Sequence, residues 1–174
     1  MEVVCLDTQI LYWGIIGKAA PGAESFIAPA IDFLKWLNDQ DVRVVVPTIV
    51  VAEMLVPIPE YDHPDVLSKF RADWMIVEFD LRAASIFARM RYDHVVNKRM
   101  QDIRSLHPDV TKKELVADVM IIATAISHGA TKLYSHNVDM RKLAEGHIVV
   151  QSFDDVQFQI SMDLEIEEDE EDVQ

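Results

Sequence analysis

Two hydrophobic regimes alternate along this chain. Val3 to Leu6 and Arg43 to Val46 are short β-branched, apolar runs without the polar alternation of a half-wet strand, so they predict strands covered on both faces. Trp74 to Phe79, Lys132 to Ser135 and His147 to Gln151 predict three more. Between these runs the period changes from 2 to 3.6. Phe26, Ile27, Ala30, Phe33, Leu34 and Leu37 form one apolar stripe, which predicts a helix over Ser25 to Asn38.

Polar and ring residues punctuate the pattern. Asp7-Thr8 is an N-cap signal for a helix after the first strand, and Pro21-Gly22 marks a turn. Pro47 stops the second strand, Thr48 caps a short helix carrying Glu53, and Pro57 and Pro59 end it. Pro64 to Arg71 predicts another short helix, and Asp80 caps a long one from Leu81 to about Gln101. His107-Pro108-Asp109 breaks the pattern. Thr111 and Glu114 then fit a capping box for a helix running to Gly129, and Met140 to Ala144 predicts a helical turn. Strands alternating with helices predict an α/β fold: a three-layer α/β/α domain with a mostly parallel central sheet of about five strands.

A chain of 174 residues, half of them hydrophobic, is long enough for one domain with its own core. That domain is expected over 1–152, followed by an acidic C-terminal tail over 153–174 whose last part is expected to be disordered. The lone Cys5 has no internal disulfide partner, which fits a reducing, cytoplasmic compartment. No apolar stretch approaches a membrane span, and no leader pattern follows Met1, so no membrane role is expected.

The formal charge of -14, taken whole, argues against a nucleic-acid partner. Its distribution reverses that reading. Eight acids and no base fall in residues 163–172, whereas Arg82 to Lys113 holds eight bases against three acids. Half of all Lys and Arg lie in that stretch.

Three acids sit where buried elements begin or end. Asp7 closes the first strand, Glu53 interrupts an apolar helix, and Asp118 opens the run Val119 to Ala125. Carboxylates beside apolar runs are costly unless a cation pairs with them. Ligands of open parallel sheets bind at the carboxyl ends of strands. Asp7 lies at one such end, with Asn137 and Asp139 just past another. Converging carboxylates repel unless a divalent cation is bound, and hard oxygen donors suit Mg²⁺ or Mn²⁺. A Gly-rich phosphate loop, a Gly-x-Ser-x-Gly elbow and Cys/His zinc spacing are all absent from the sequence.

These segments also resemble a known family. Asp7 after an apolar strand, Pro47 to Glu53, Phe79-Asp80 leading into a helix, and Asp118-Val119-Met120-Ile121-Ile122-Ala123-Thr124-Ala125 are similar, in order, to the signatures of the PIN domain, closest to its VapC-like toxin branch. The resemblance covers about residues 2 to 150. It implies a Mg²⁺- or Mn²⁺-dependent endoribonuclease acting on RNA, with Asp7, Glu53 and Asp118 as the acidic set. It also implies an antitoxin protein as a partner, and a homodimer. Where the family carries Thr-x-Asp or Thr-x-Asn followed by Asp-Phe, this chain has Ser135-His136-Asn137-Val138-Asp139-Met140. Asp139 is the candidate fourth acid or a displaced version of the downstream Asp, and Ser135 and Asn137 align with the preceding motif. Thr8, Ser135, Asn137, Arg91, Lys98 and Arg99 are candidate substrate contacts.

Each site residue also has a plainer reading. Asp7 suffices as a helix cap, Asp139 as the cap of a helical turn, and Asn137 as a turn residue. Arg91, His94 or Val95, and Lys98 share a helix face that could simply be solvated. The alternative function is a catalytically weak or inactive PIN-like module that holds RNA or a protein. A phosphoacceptor domain would need Asp80 in that role, and a haloacid-dehalogenase-like phosphatase needs Asp-x-Asp, which Asp7-Thr8-Gln9 does not supply.

Overall fold

A computed structural model describes residues 1–156. Five strands form one all-parallel sheet: β1 (Glu2–Leu6), β2 (Val42–Pro47), β3 (Met75–Val77), β4 (Lys132–Tyr134) and β5 (Val149–Gln151), in the order β3-β2-β1-β4-β5. The central strand is fully covered, with Val4, Cys5 and Leu6 no more than 1% exposed. This burial is why its sequence is a continuous apolar run.

Among the described residues, eight α-helices connect and cover the sheet: α1 (Thr8–Leu11), α2 (Ile27–Asn38), α3 (Thr48–Leu55), α4 (His63–Asp73), α5 (Leu81–Val96), α6 (Arg99–Leu106), α7 (Lys112–Ser127) and α8 (Val138–Ala144). The chain winds from β1 outward to β3, then returns to β4 on the other side of β1. α5 packs on α7 and α7 on α8, while α1 packs on α3, which also reaches α7. The reversal lies between β1 and β4, which are joined in register from Val4↔Lys132 to Leu6↔Tyr134. Such a switch point leaves a crevice beyond the strand ends.

After α1 the chain widens into a π-helical turn, Tyr12–Ile16, which packs on α2. Gly14 permits this approach. A Cβ there would overlap the Leu34 side chain and lie 3.2 Å from the Ala30 carbonyl oxygen. The buried Trp13 on the same turn stacks on Phe26 with ring centroids 4.9 Å apart.

One expected element is divided. The helix predicted from Leu81 to about Gln101 is α5 and α6, separated at Asn97-Lys98, where Lys98 has φ 54 in the left-handed region. Val95, Val96 and Asn97 are weak helix formers, and the bend lets Ile103 of α6 reach 1% exposure in the core. The other strands and helices match the pattern within a few residues. β3 and β5 are shorter than predicted, and α8 begins at Val138 because Asn137 caps it. Phe153, the first residue assigned to the acidic tail, is 1% exposed and packs on Trp13 and Phe33. The acidic run 163–172 lies outside the described residues.

Candidate active site

The crevice at the switch point is a cleft of about 690 Å³. Six carboxylates line it: Asp7, Glu53, Asp109, Glu114, Asp118 and Asp139. Lys and Arg are missing from its lining among the described residues. Trp13, Phe26 and His136 form an aromatic wall, with Phe26 and His136 centroids 4.4 Å apart.

Asp7 follows β1 and caps α1. One carboxylate oxygen accepts the Thr8 amide at 2.7 Å, and the other accepts the Ser135 hydroxyl at 2.7 Å. The Thr8 hydroxyl in turn donates to Glu53 on α3. Ser135, at the end of β4, also accepts the Asn137 amide at 3.0 Å. A chain of hydrogen bonds thus ties the ends of β1 and β4 together. The parallel ladder continues one step further, with the Asp7 amide donating to the Tyr134 carbonyl at 3.0 Å.

Asn137 has two jobs. Its Oδ1 accepts the amides of Asp139 and Met140 at 2.9 and 3.4 Å, which caps α8. That fixes the amide orientation, so Nδ2 faces Asp118 on α7 and donates at 3.3 Å. Asp139 is 4% exposed, with both oxygens 2.8 Å from His107 Nδ1. His107 belongs to the connection before α7, which the sequence pattern identifies only as a break.

The electrostatics reflect this crowding. Burial pushes the Asp7 carboxyl up to about 6 against the opposing Ser135 and Thr8 hydrogen bonds, and the charge of Glu53 adds to the rise. Asp118 is pushed up to about 8, first by burial and then by the charges of Asp7, Glu53, Asp139 and Glu114. A group of acids that raise one another's proton affinity is stabilised in its ionised form by a bound cation. In donor chemistry the set fits a hard divalent ion. Among the described residues, no three His, Cys, Asp or Glu side chains form a ready-made ion cage. Each of the four principal acids is instead turned onto a Thr, Ser, Asn or His donor.

The fold therefore brings Asp7, Thr8, Glu53, Asp118, Asn137 and Asp139 to one cleft, with Ser135 behind Asp7. It does not bring the basic candidates there. Arg91 and Lys98 line a separate groove, and Arg99 bonds to the Glu145 carbonyl at 3.0 Å and pairs with its carboxylate at 3.3 Å. Asp109 and Glu114 were not legible as cleft residues. Glu114 carries a capping-box signal that accounts for it fully, and Asp109 stands in a Pro-containing turn.

Fold and site together define a class: an α/β/α domain with an acidic cleft at the switch point of a parallel sheet. The PIN domain family model matches residues 4–146, and the chain belongs to that family. Its members are generally nucleases that depend on a divalent metal. Among solved structures, the chain is similar to VapBC-1 from nontypeable Haemophilus influenzae (12% identity, 87% of this chain and 98% of that chain, TM-score 0.60). It is also similar to VapBC2 from Rickettsia felis bound to a DNA fragment from their promoter (14%, 86% and 98%, 0.58). DNA-bound VapBC from Salmonella typhimurium is a third such structure (17%, 88% and 99%, 0.54). At these identities the likeness is one of fold. Comparison with the curated proteins gave no match.

Proposed function

We propose that this protein is a divalent-metal-dependent endoribonuclease that hydrolyses RNA phosphodiester bonds in the acidic cleft. The observation that carries the reading is the meeting of Asp7, Glu53, Asp118 and Asp139, from four separate elements, in a cleft lined by no Lys or Arg among the described residues. Asp7 and Asp118 are the first-choice ligands for Mg²⁺ or Mn²⁺, with Glu53 and Asp139 completing the set. Bound there, the ion would supply Lewis acidity toward water and the phosphodiester oxygens.

The chain's own contribution is orientation and proton release. Ser135 and the Thr8 amide fix the two oxygens of Asp7, and the Thr8 hydroxyl holds Glu53. Asn137 holds Asp118, and His107 holds Asp139. With its carboxyl near 8, Asp118 keeps a proton at neutral pH that a cation must displace, so metal affinity rises with pH across that range. An antitoxin partner is supported by the similarity to VapBC structures, and homodimerisation by family resemblance. A cytoplasmic location is supported by the unpaired, buried Cys5. The structure describes no helix long and apolar enough to cross a membrane.

The direct test is Mn²⁺-dependent cleavage of mixed RNA substrates by Asp7→Asn and Asp118→Asn. Both variants are expected to fold and to lose cleavage. Wild-type rates in both would refute the assignment. The neutral Asn137 and the lack of a ready-made cage among the described residues favour one second reading, a PIN-like module that binds RNA without turnover. RNA binding with no chelator-sensitive cleavage by the wild type would select it.

A further inference from the structure

A polyanionic substrate meets a difficulty in the cleft, whose lining carries six carboxylates and no Lys or Arg among the described residues. Even with cations bound, the grip on the rest of an RNA strand has to come from elsewhere, because Lys and Arg contacts to phosphate dominate nucleic-acid affinity.

A second groove, about 510 Å³, lies between α5, α6 and the start of α7. Arg91, Lys98, Arg104 and Lys112 line it, and no acid does. None of the four is ion-paired among the described residues.

Three details show that this groove is built. Lys112 and Lys113 occupy the first turn of α7, where the helix dipole favours acids, so their charge is placed against helix stability. Lys98 adopts a left-handed conformation that is unfavourable for a residue with a Cβ, and the bend it makes sets Arg104 of α6 in one groove with Arg91 of α5. His94, 2% exposed, forms part of the wall. Its Nε2 donates to the Leu143 carbonyl at 3.0 Å, which leaves Nδ1 as an acceptor, and Nδ1 is the one buried side-chain polar atom without a partner among the described residues.

Groove and cleft are also close in the chain. Asp109 and Val110 line the cleft, Lys112 lines the groove, and Glu114 and Asp118 line the cleft again. Along α7, Lys112 and Asp118 are separated by about 9 Å of axial rise.

We infer that the groove is a second RNA-contact site, gripping the phosphate backbone of a single strand next to the segment presented to the cleft. This inference rests on the ribonuclease reading of the cleft. The chain's own acidic run 163–172 is the competing polyanion, and the test separates the two.

The experiment measures fluorescence anisotropy of a labelled single-stranded RNA on the full chain in EDTA, over a series of KCl concentrations, so that binding is read without turnover. Arg104→Ala/Lys112→Ala should weaken binding about tenfold and reduce the slope of log K against log salt by roughly 1.4, two phosphates at about 0.7 each. In Mn²⁺ the same variant should raise the KM for a long RNA. Lys35→Ala, a remote surface cation, is the control and should change neither. Unaltered affinity and slope in the double variant, with a wild-type melting temperature, would overturn the inference. So would a peptide of residues 157–174 that needs Arg104 and Lys112 to bind while RNA does not. Groove-dependent RNA binding without Mn²⁺-dependent cleavage would leave this site standing and sink the nuclease reading.

Discussion

The acidic cleft and the basic groove share one short stretch of chain, and they are built on opposite principles. The cleft's charges are partly buried and mutually repulsive, and hydrogen bonds from Thr8, Ser135, Asn137 and His107 hold them in place. The groove's charges are largely exposed, with few side-chain contacts to fix them. Buried like charges cost stability when no ion is present, whereas exposed ones cost little. The cleft should therefore govern stability and turnover, and the groove should govern affinity.

The largest expected effect breaks the cleft. Asp118→Asn should lower Mn²⁺-dependent RNA cleavage by at least about a hundredfold, as measured in single-turnover assays at saturating enzyme. Next comes pH. Asp118 and Asp7 have folded-state pKa values of about 8 and about 6, against an ordinary 3.8. The folded state therefore holds more protons on these two groups than the unfolded chain does, and their contribution to stability is full below pH 3.8. It is lost as pH rises toward 6 for Asp7 and 8 for Asp118. The metal-free protein should therefore melt several degrees lower at pH 8 than at pH 5. Mn²⁺ should restore the difference at pH 8, and Asp118→Asn should flatten the pH profile. A metal-free protein that melts higher at pH 8 would contradict the burial of these acids.

A smaller effect concerns orientation. His107→Ala should weaken Mn²⁺ binding about tenfold, read by calorimetry, with His107→Gln recovering part of the loss. Equal affinities would show that His107 does not position Asp139. The smallest effect sharpens the contrast from the groove side. Lys98→Gly removes a side chain from a left-handed residue and should raise the melting temperature by about 1–3 °C. It should also weaken RNA binding, so stability and affinity should move in opposite directions.

Asp7, Glu53 and Asp118 were legible because each ends, interrupts or opens an apolar run, whereas Asp139 was legible only through the resemblance of Ser135 to Met140 to the family motif. The division of α5 from α6 was not legible. Propensity around Val95 to Asn97 is weak in either direction, and the decisive contribution is the burial of Ile103, a tertiary contact. Glu114 was legible only as a cap because its local role accounts for it fully, and its place in the cleft depends on where α7 lies in the fold. Asn137 was readable as a turn residue, and the structure keeps that role while adding the bond to Asp118. His107 gave no signal at all, since its partner Asp139 lies 32 residues away.

Cys5 sits in the middle of the central strand with no solvent exposure, and burial holds its thiol well above the ordinary range. Alkylating reagents can reach it only when the layer of helices covering that face of the sheet parts from it. As the sole sulfhydryl in the chain, it is a native clock for opening of the core. Its labelling rate, followed with and without Mn²⁺, would register through mass alone how far a bound ion holds the domain shut.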